Sequence, residues 1–190
     1  MTEAAPTPDL VPASASQTAG PYWHLIDFPE WADTTRHFAD SLPAGERIVL
    51  TGTVTDGGGS LVTDALVEIW HADPEGHYPT DTEGFQGYGR CATDQAGRFR
   101  FTTLKPGPVA GPGNATQAPH VALAVFARGI LYHLATRLYF AGEALNETDP
   151  VLSSIPTERR ATVIAEQTQP GTWSLDLRLQ GDRETVWMDV

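Results

Sequence analysis

The residues best suited to chemistry in this 190-residue chain are six histidines, at positions 24, 37, 71, 77, 120 and 133. No two stand four residues apart, so the paired imidazoles of a helical zinc site are absent. His120 is the most pointed of them, because it follows Pro119 and opens the strand-like run HVALAVFARG (120–129). Side chains two apart on a strand share a face, so a second imidazole belongs at position 122, where the chain has Ala122. A methyl group has no donor atom, and this strand alone cannot hold a metal. Other motifs read as structure. DGGGS (56–60) lacks the lysine and hydroxyl of a phosphate loop and reads as a turn. DTEG (81–84) has the wrong spacing for a calcium loop, and no GxSxG is present. Cys91, the single cysteine, reads as a buried thiol rather than a nucleophile.

The elements that must position His120 are strands. RIVLTGTVTD (47–56) places Ile48, Leu50, Gly52 and Val54 on one face before a glycine turn, and ALVEIWHA (65–72) follows, closed by the turn DPEG. TDQAGRFRFTTL (93–104) is a turn and a strand ended by KPG. HVALAVFA and ILYHLATRLYF predict a hairpin across ARG, with Val121, Leu123 and Val125 facing the core. His133, Arg137 and Tyr139 fall on alternate positions and predict a polar sheet face. TWSLDLRLQ and ETVWMDV end the chain. About seven strands without alternating helices indicate an all-β fold, an antiparallel β-sandwich. Helix is minor: SSIPTERRATVIAEQ (153–167) has a serine cap, an early proline and a stripe of Ile155, Val163 and Ile164, and WADTTRHFADSL (31–42) is a weaker candidate.

Length predicts one main domain, residues 47–190, preceded by a Pro/Ala/Ser-rich arm and short helix in residues 1–46 that pack on a partner chain. The arm has no basic start and no apolar stretch, so it reads as neither signal peptide nor anchor, and a lone cysteine fits a cytoplasmic address. Net charge of −12, from 24 acidic residues against 12 basic ones, argues against nucleic acid and anionic membrane as partners. An anionic substrate would need a local cation. Arginine must supply it, since Lys105 is the only lysine.

Seven blocks, SQTAGPYW (16–23), ALVEIWHADPEGHY (65–78), YGRCATDQAGRFRF (88–101), KPGPV (105–109), APHVALAVFARG (118–129), HLATRLYF (133–140) and LQGDRETVWMDV (179–190), together resemble the intradiol ring-cleaving dioxygenases, in the family's order. The resemblance is to the alpha type of chain in the two-subunit members. It implies a β-sandwich paired about a pseudo-twofold with a homologous beta subunit, and higher-order assembly of such heterodimers. It also implies Fe3+ held by the beta subunit on two tyrosines and two histidines. The implied substrate is a small aromatic diol, with dioxygen inserted between the hydroxylated carbons.

Carried over by position, the resemblance places Val109 where an iron-binding chain has tyrosine after KPGP, and His120 and Ala122 at its H-x-H pair. The segment PTDTEGFQG (79–87) has no tyrosine for the fourth ligand. Val109, His120 and Ala122 are then the remnant of an iron site, with no metal bound by this chain. His120 is expected to be a partly buried, hydrogen-bonded imidazole. The same resemblance makes Thr18, Gly20, Pro21, Tyr22 and Arg128 contributors to the partner's substrate pocket, with no catalytic residue in this chain alone. Two other readings compete. One is a stand-alone enzyme with iron on Tyr78, His77, Tyr88 and His120; the other is a module that binds an aromatic acid without chemistry.

Overall fold

Strand β1, Arg47–Thr55, buries every second residue, so Ile48, Leu50 and Val54 enter the core at 1% exposure or less. The computed structural model describes residues 28–36, 42–80 and 84–189. Strand β4, Arg98–Leu104, runs antiparallel to β1 from the pair Arg47↔Leu104 to Thr53↔Arg98. That register sets Phe101 beside Leu50 and Phe99 beside Gly52. Each buried ring contributes about 1.5–3 kcal/mol. Gly52 is required by the packing: a Cβ there would fall inside the Leu175 carbonyl oxygen and press on the Phe99 ring.

The other strands are β2 (Leu66–Trp70), β3 (Tyr88–Ala92), β5 (Val109–Ala110), β6 (Thr116–Gln117), β7 (His120–Phe126), β8 (Leu134–Phe140), β9 (Ile164–Gln169), β10 (Thr172–Ser174) and β11 (Leu177–Arg178). The main sheet runs β11-β1-β10-β9-β8-β7-β2-β3 with β4 on the free side of β1, and β5 pairs β6 separately. β3 and β4 are joined through the turn at residues 93–97, where Asp94 Oδ1 accepts from the Ala96 and Arg98 amides. Both also pack against the 3-10 turn Pro29–Ala32. The sheet therefore nearly closes around one core of Leu, Ile, Val and Phe. The mostly-strand architecture expected above is present, and its sheet is mixed. β8–β9, β1–β10 and β1–β11 are parallel. The β9–β10 hairpin is laid between β8 and β1, which fixes the direction of both outer pairings.

One helix expectation is corrected. Residues 153–167 do not form one helix. A short helix α1, Pro150–Ser154, is capped by Asp149 rather than by a serine, and a 3-10 turn occupies Thr157–Thr162. Pro156 is the reason, since the residue before a proline is driven from helical to extended backbone, and Ile155 sits at φ −80, ψ 131. Ile164 then begins β9. Of the helix expected over residues 31–42, residues 37–41 lie outside the described residues; the described part has a 3-10 turn, Pro29–Ala32, interrupted at Asp33 by extended backbone. Asp33 ends it by turning its carboxylate onto the Thr35 amide and hydroxyl while its backbone bridges Thr102. This part of the predicted arm lies on its own chain's β3 and β4. The predicted hairpin is β7–β8, with a longer connection than ARG alone.

Gly52→Ala should lower unfolding free energy by about 2 kcal/mol, in the range for overpacking a well-filled core. Urea unfolding measures it; an unchanged midpoint would show that the Leu175 segment yields freely.

Candidate functional site

Register builds the site. β7 lies between β2 and β8, and its inward residues Val121, Leu123 and Val125 are 2% exposed or less. His120, Ala122 and Ala124 therefore occupy the opposite face, as the alternation predicts. Across the β7–β8 ladder they meet Tyr139, Arg137 and Ala135, and across the β2 ladder Ala122 meets Trp70 and Ala124 meets Glu68. Opposite residues in an antiparallel pair share a face. One row thus reads Trp70, Ala122, Arg137. A cleft of about 420 Å³ opens over this face, lined in part by Trp70, Tyr88, Ala122, Arg137 and Met188.

Val109, matched above to an iron-ligand position by the resemblance alone, is tied to the same corner. Val109, buried on β5, is paired with Gln117 on β6, and the Gln117 side-chain carbonyl accepts from Arg137 Nη1 at 2.6 Å. Arg137 Nη1 also lies 3.4 Å from the Tyr139 hydroxyl, which donates to Asp149 Oδ1 at 3.1 Å. Asp149 is fully buried and further accepts the Val151 and Leu152 amides on Oδ1 and the Ala118 amide on Oδ2. Four donors thus converge on it. Gly76 and the KPGP segment are mutually fitted, because a side chain at Gly76 would strike the Pro108 carbonyl and its φ is +87.

His120 is 4% exposed, its ring 5.7 Å from that of Tyr139. Its Nδ1 lies 2.7 Å from the Ala118 carbonyl, so Nδ1 carries the proton and donates. Burial pulls its pKa below the ordinary histidine value. The hydrogen bond expected of His120 is present, and the ring, expected to be partly buried, is buried. The polar face expected from His133, Arg137 and Tyr139 is not uniform. Tyr139 is fully buried with Ala118, Leu152, Ile155 and Val163 in a second apolar cluster, because α1 and the segment after it cover that end of the sheet. Burial raises its phenol well above the ordinary range.

These residues do not fit ferric iron. A hard trivalent cation requires anionic oxygen or imidazole donors, and Val109 and Ala122 provide neither. The Tyr139 phenol is held protonated, and a permanently charged guanidinium stands in the same corner. The alternative donor set is engaged elsewhere. The His77 imidazole is exposed beside the carboxylates of Asp73 and Glu75 at 3.7 and 3.8 Å. Tyr88 donates to Glu68 at 3.0 Å, and burial followed by the Glu68 charge pushes its phenol up to about 12. Tyr78 packs on Trp70 at 4.5 Å. Among the described residues no three His, Cys, Asp or Glu groups gather to hold a metal.

A family model described as Dioxygenase matches residues 18–181. The protocatechuate 3,4-dioxygenase alpha chain of Burkholderia cepacia is 40% identical over 193 residues, covering 92% of this chain and 96% of that one. The chain belongs to the intradiol dioxygenase family. An alpha chain from Pseudomonas putida is also 40% identical, over 95% of this chain and 98% of its own length. The beta chain of the Burkholderia cepacia enzyme is 38% identical over 150 residues, covering 73% of this chain and 61% of that one. Among solved structures, the dioxygenase domain of a Streptomyces sp. SirexAA-E dioxygenase–carbohydrate-binding fusion aligns with TM-score 0.61 and 28% identity over 88% of this chain and 97% of that one.

Within this intradiol dioxygenase chain, Thr18, Gly20, Pro21 and Tyr22 lie outside the described residues. Arg128 sits beyond β7 with 82% of its side chain exposed and its Nε 2.8 Å from Asp64. Lys105 is structural, paired with Glu143 at 2.6 Å over the rings of Phe140 and Trp173. Sequence reasoning missed Gln117, Asp149 and His71. The dipeptide Asp149–Pro150 carries a cap signal that could have found Asp149, while nothing local marks Gln117. His71 is fully buried, with Nδ1 donating to the Ala72 carbonyl at 2.7 Å. Its Nε2 must then accept from Thr103 Oγ1 at 2.8 Å, and Thr103 in turn accepts from Thr34 at 2.7 Å.

Burial lowers the His71 pKa to about 4 from an ordinary 6.5. In that window the unfolded chain takes up a proton that the folded chain refuses. Stability is then full above pH 6.5 and falls as pH drops toward 4, by about 3 kcal/mol in all. Urea unfolding across pH 7 to 4.5 should show His71→Gln with a shallower decline than the parent; equal slopes would contradict the assignment.

Proposed function

We propose that this chain is the iron-free alpha subunit of a heteromeric protocatechuate 3,4-dioxygenase. It pairs with a homologous beta subunit that binds Fe3+, in a cytoplasmic assembly of such heterodimers. The reaction of the pair is intradiol cleavage of 3,4-dihydroxybenzoate to 3-carboxy-cis,cis-muconate. The observation that carries this reading is the donor set: an aliphatic side chain at Val109, a methyl at Ala122 and a guanidinium at Arg137 occupy a corner where an iron-bearing chain needs anionic and imidazole ligands. The span of the similarity favours the alpha type, since the chain covers 96% of an alpha relative and 61% of a beta relative.

This chain's part in the reaction is to build walls. Arg128 is exposed on the connection between β7 and β8, beside Leu131 and Tyr132 at 69% and 60% exposure. Large apolar side chains that project from such a loop suit burial against another subunit. Docking would desolvate Arg128 and strengthen its attraction for an aromatic carboxylate. Thr18, Gly20, Pro21 and Tyr22 complete the proposed contribution, Pro21 favouring extended backbone and Gly20 permitting close approach.

The chain purified alone should carry no stoichiometric iron and leave 3,4-dihydroxybenzoate uncleaved, whereas co-purification with the beta-type partner should restore both. Cleavage by the single chain would refute the assignment. In the pair, Arg128→Ala should lower kcat/KM for 3,4-dihydroxybenzoate by about tenfold, the value of one charge-assisted hydrogen bond, with little effect on catechol, which lacks the carboxylate. Equal losses on both substrates would remove Arg128 from carboxylate recognition.

A further inference from the structure

Arg137 is a half-buried cation without a counter-ion. Among the described residues no carboxylate lies within ion-pair distance of it, and its hydrogen bonds, to Gln117 and Tyr139, both leave from Nη1 toward neutral oxygens. The nearby carboxylate of Asp149 is spent on three amides and the Tyr139 hydroxyl. Nε and Nη2 are thus left over, and these are the two nitrogens of the side-on fork that receives both oxygens of one carboxylate.

The cleft beside it matches a ring. Trp70 and Arg137 stand on either side of Ala122, two strand spacings or roughly 10 Å apart. Ala122 and Ala124 make a flat methyl floor, Trp70 is 47% exposed and backed by Tyr78, and Met188 closes another side. Among the described residues Glu68 is the one carboxylate in the lining, and it is ion-paired with Arg90 and accepts from the Tyr88 hydroxyl. A volume of about 420 Å³ lies within the range of small-ligand sites. We propose that this cleft binds an aromatic monocarboxylate, with the carboxylate on the free edge of Arg137 and the ring on Ala122 against Trp70. The inference stands on this chain's own side chains and does not need the heteromeric reading.

Calorimetric titration of the full chain with sodium benzoate, and in parallel with the neutral isostere benzamide, tests it. One benzoate per chain should bind, with benzamide at least about tenfold weaker, because the charge-assisted pair is lost. Arg137→Gln should weaken benzoate by a similar factor. Ala122→Phe, which fills the floor, should abolish binding. If either variant fails to fold, the benzoate-to-benzamide ratio on the parent chain still decides. Equal affinity for the two ligands, undiminished benzoate binding to a folded variant, or no saturable binding at millimolar benzoate would overturn the proposal. So would loss of benzoate binding in the complex co-purified with the partner, which would mean that a group of the partner takes the Arg137 fork.

Discussion

Arg137 stands directly across the β7–β8 ladder from Ala122, and the character of the cleft follows from a permanent positive charge held there by neutral oxygens. A guanidinium cannot discharge itself by losing a proton, unlike a buried lysine or histidine. That charge opposes a metal cation in the same corner and favours an anion. Val109 and Ala122 carry no donor atom on their side chains, so neither competes for whatever approaches Arg137.

The charge stays in place because its supports are fixed from below. Gln117 is positioned by the short β5–β6 pairing, and Tyr139 by the second apolar cluster and by Asp149. Asp149 joins the start of α1, the approach to β7 and the outer face of β8 through one fully buried carboxylate. Removing it would strand several buried donors at once, each costing about 1–3 kcal/mol. His71, Thr103 and Thr34 form a second chain of buried polar groups. It fastens residues 28–36 to the core and is complete only while His71 is neutral.

Much of the framework is legible in the sequence because it is set by alternation. The inward faces of β1 and β7 follow from period-two patterning alone, and so does the pairing of His120 with Ala122 on the outer face. Residues 153–167 mislead for a local reason: Ile155 and Val163 are apolar at helical spacing, and both are buried, yet Pro156 breaks the helix between them. The parallel pairings of β9 and β10 depend on where a hairpin inserts, which no local pattern encodes. Arg137 is visible as a polar residue on the right face. Its lack of a carboxylate partner among the described residues is a property of cross-strand register and of Asp149's other commitments, and it emerges only once separate segments are brought together.

The sharpest measurement is anomalous diffraction at the iron edge from crystals of this chain in complex with its beta-type partner. The account predicts an iron peak within the partner and none in the corner formed by His120, Ala122 and Arg137. An iron peak coordinated by His120 of this chain would contradict it.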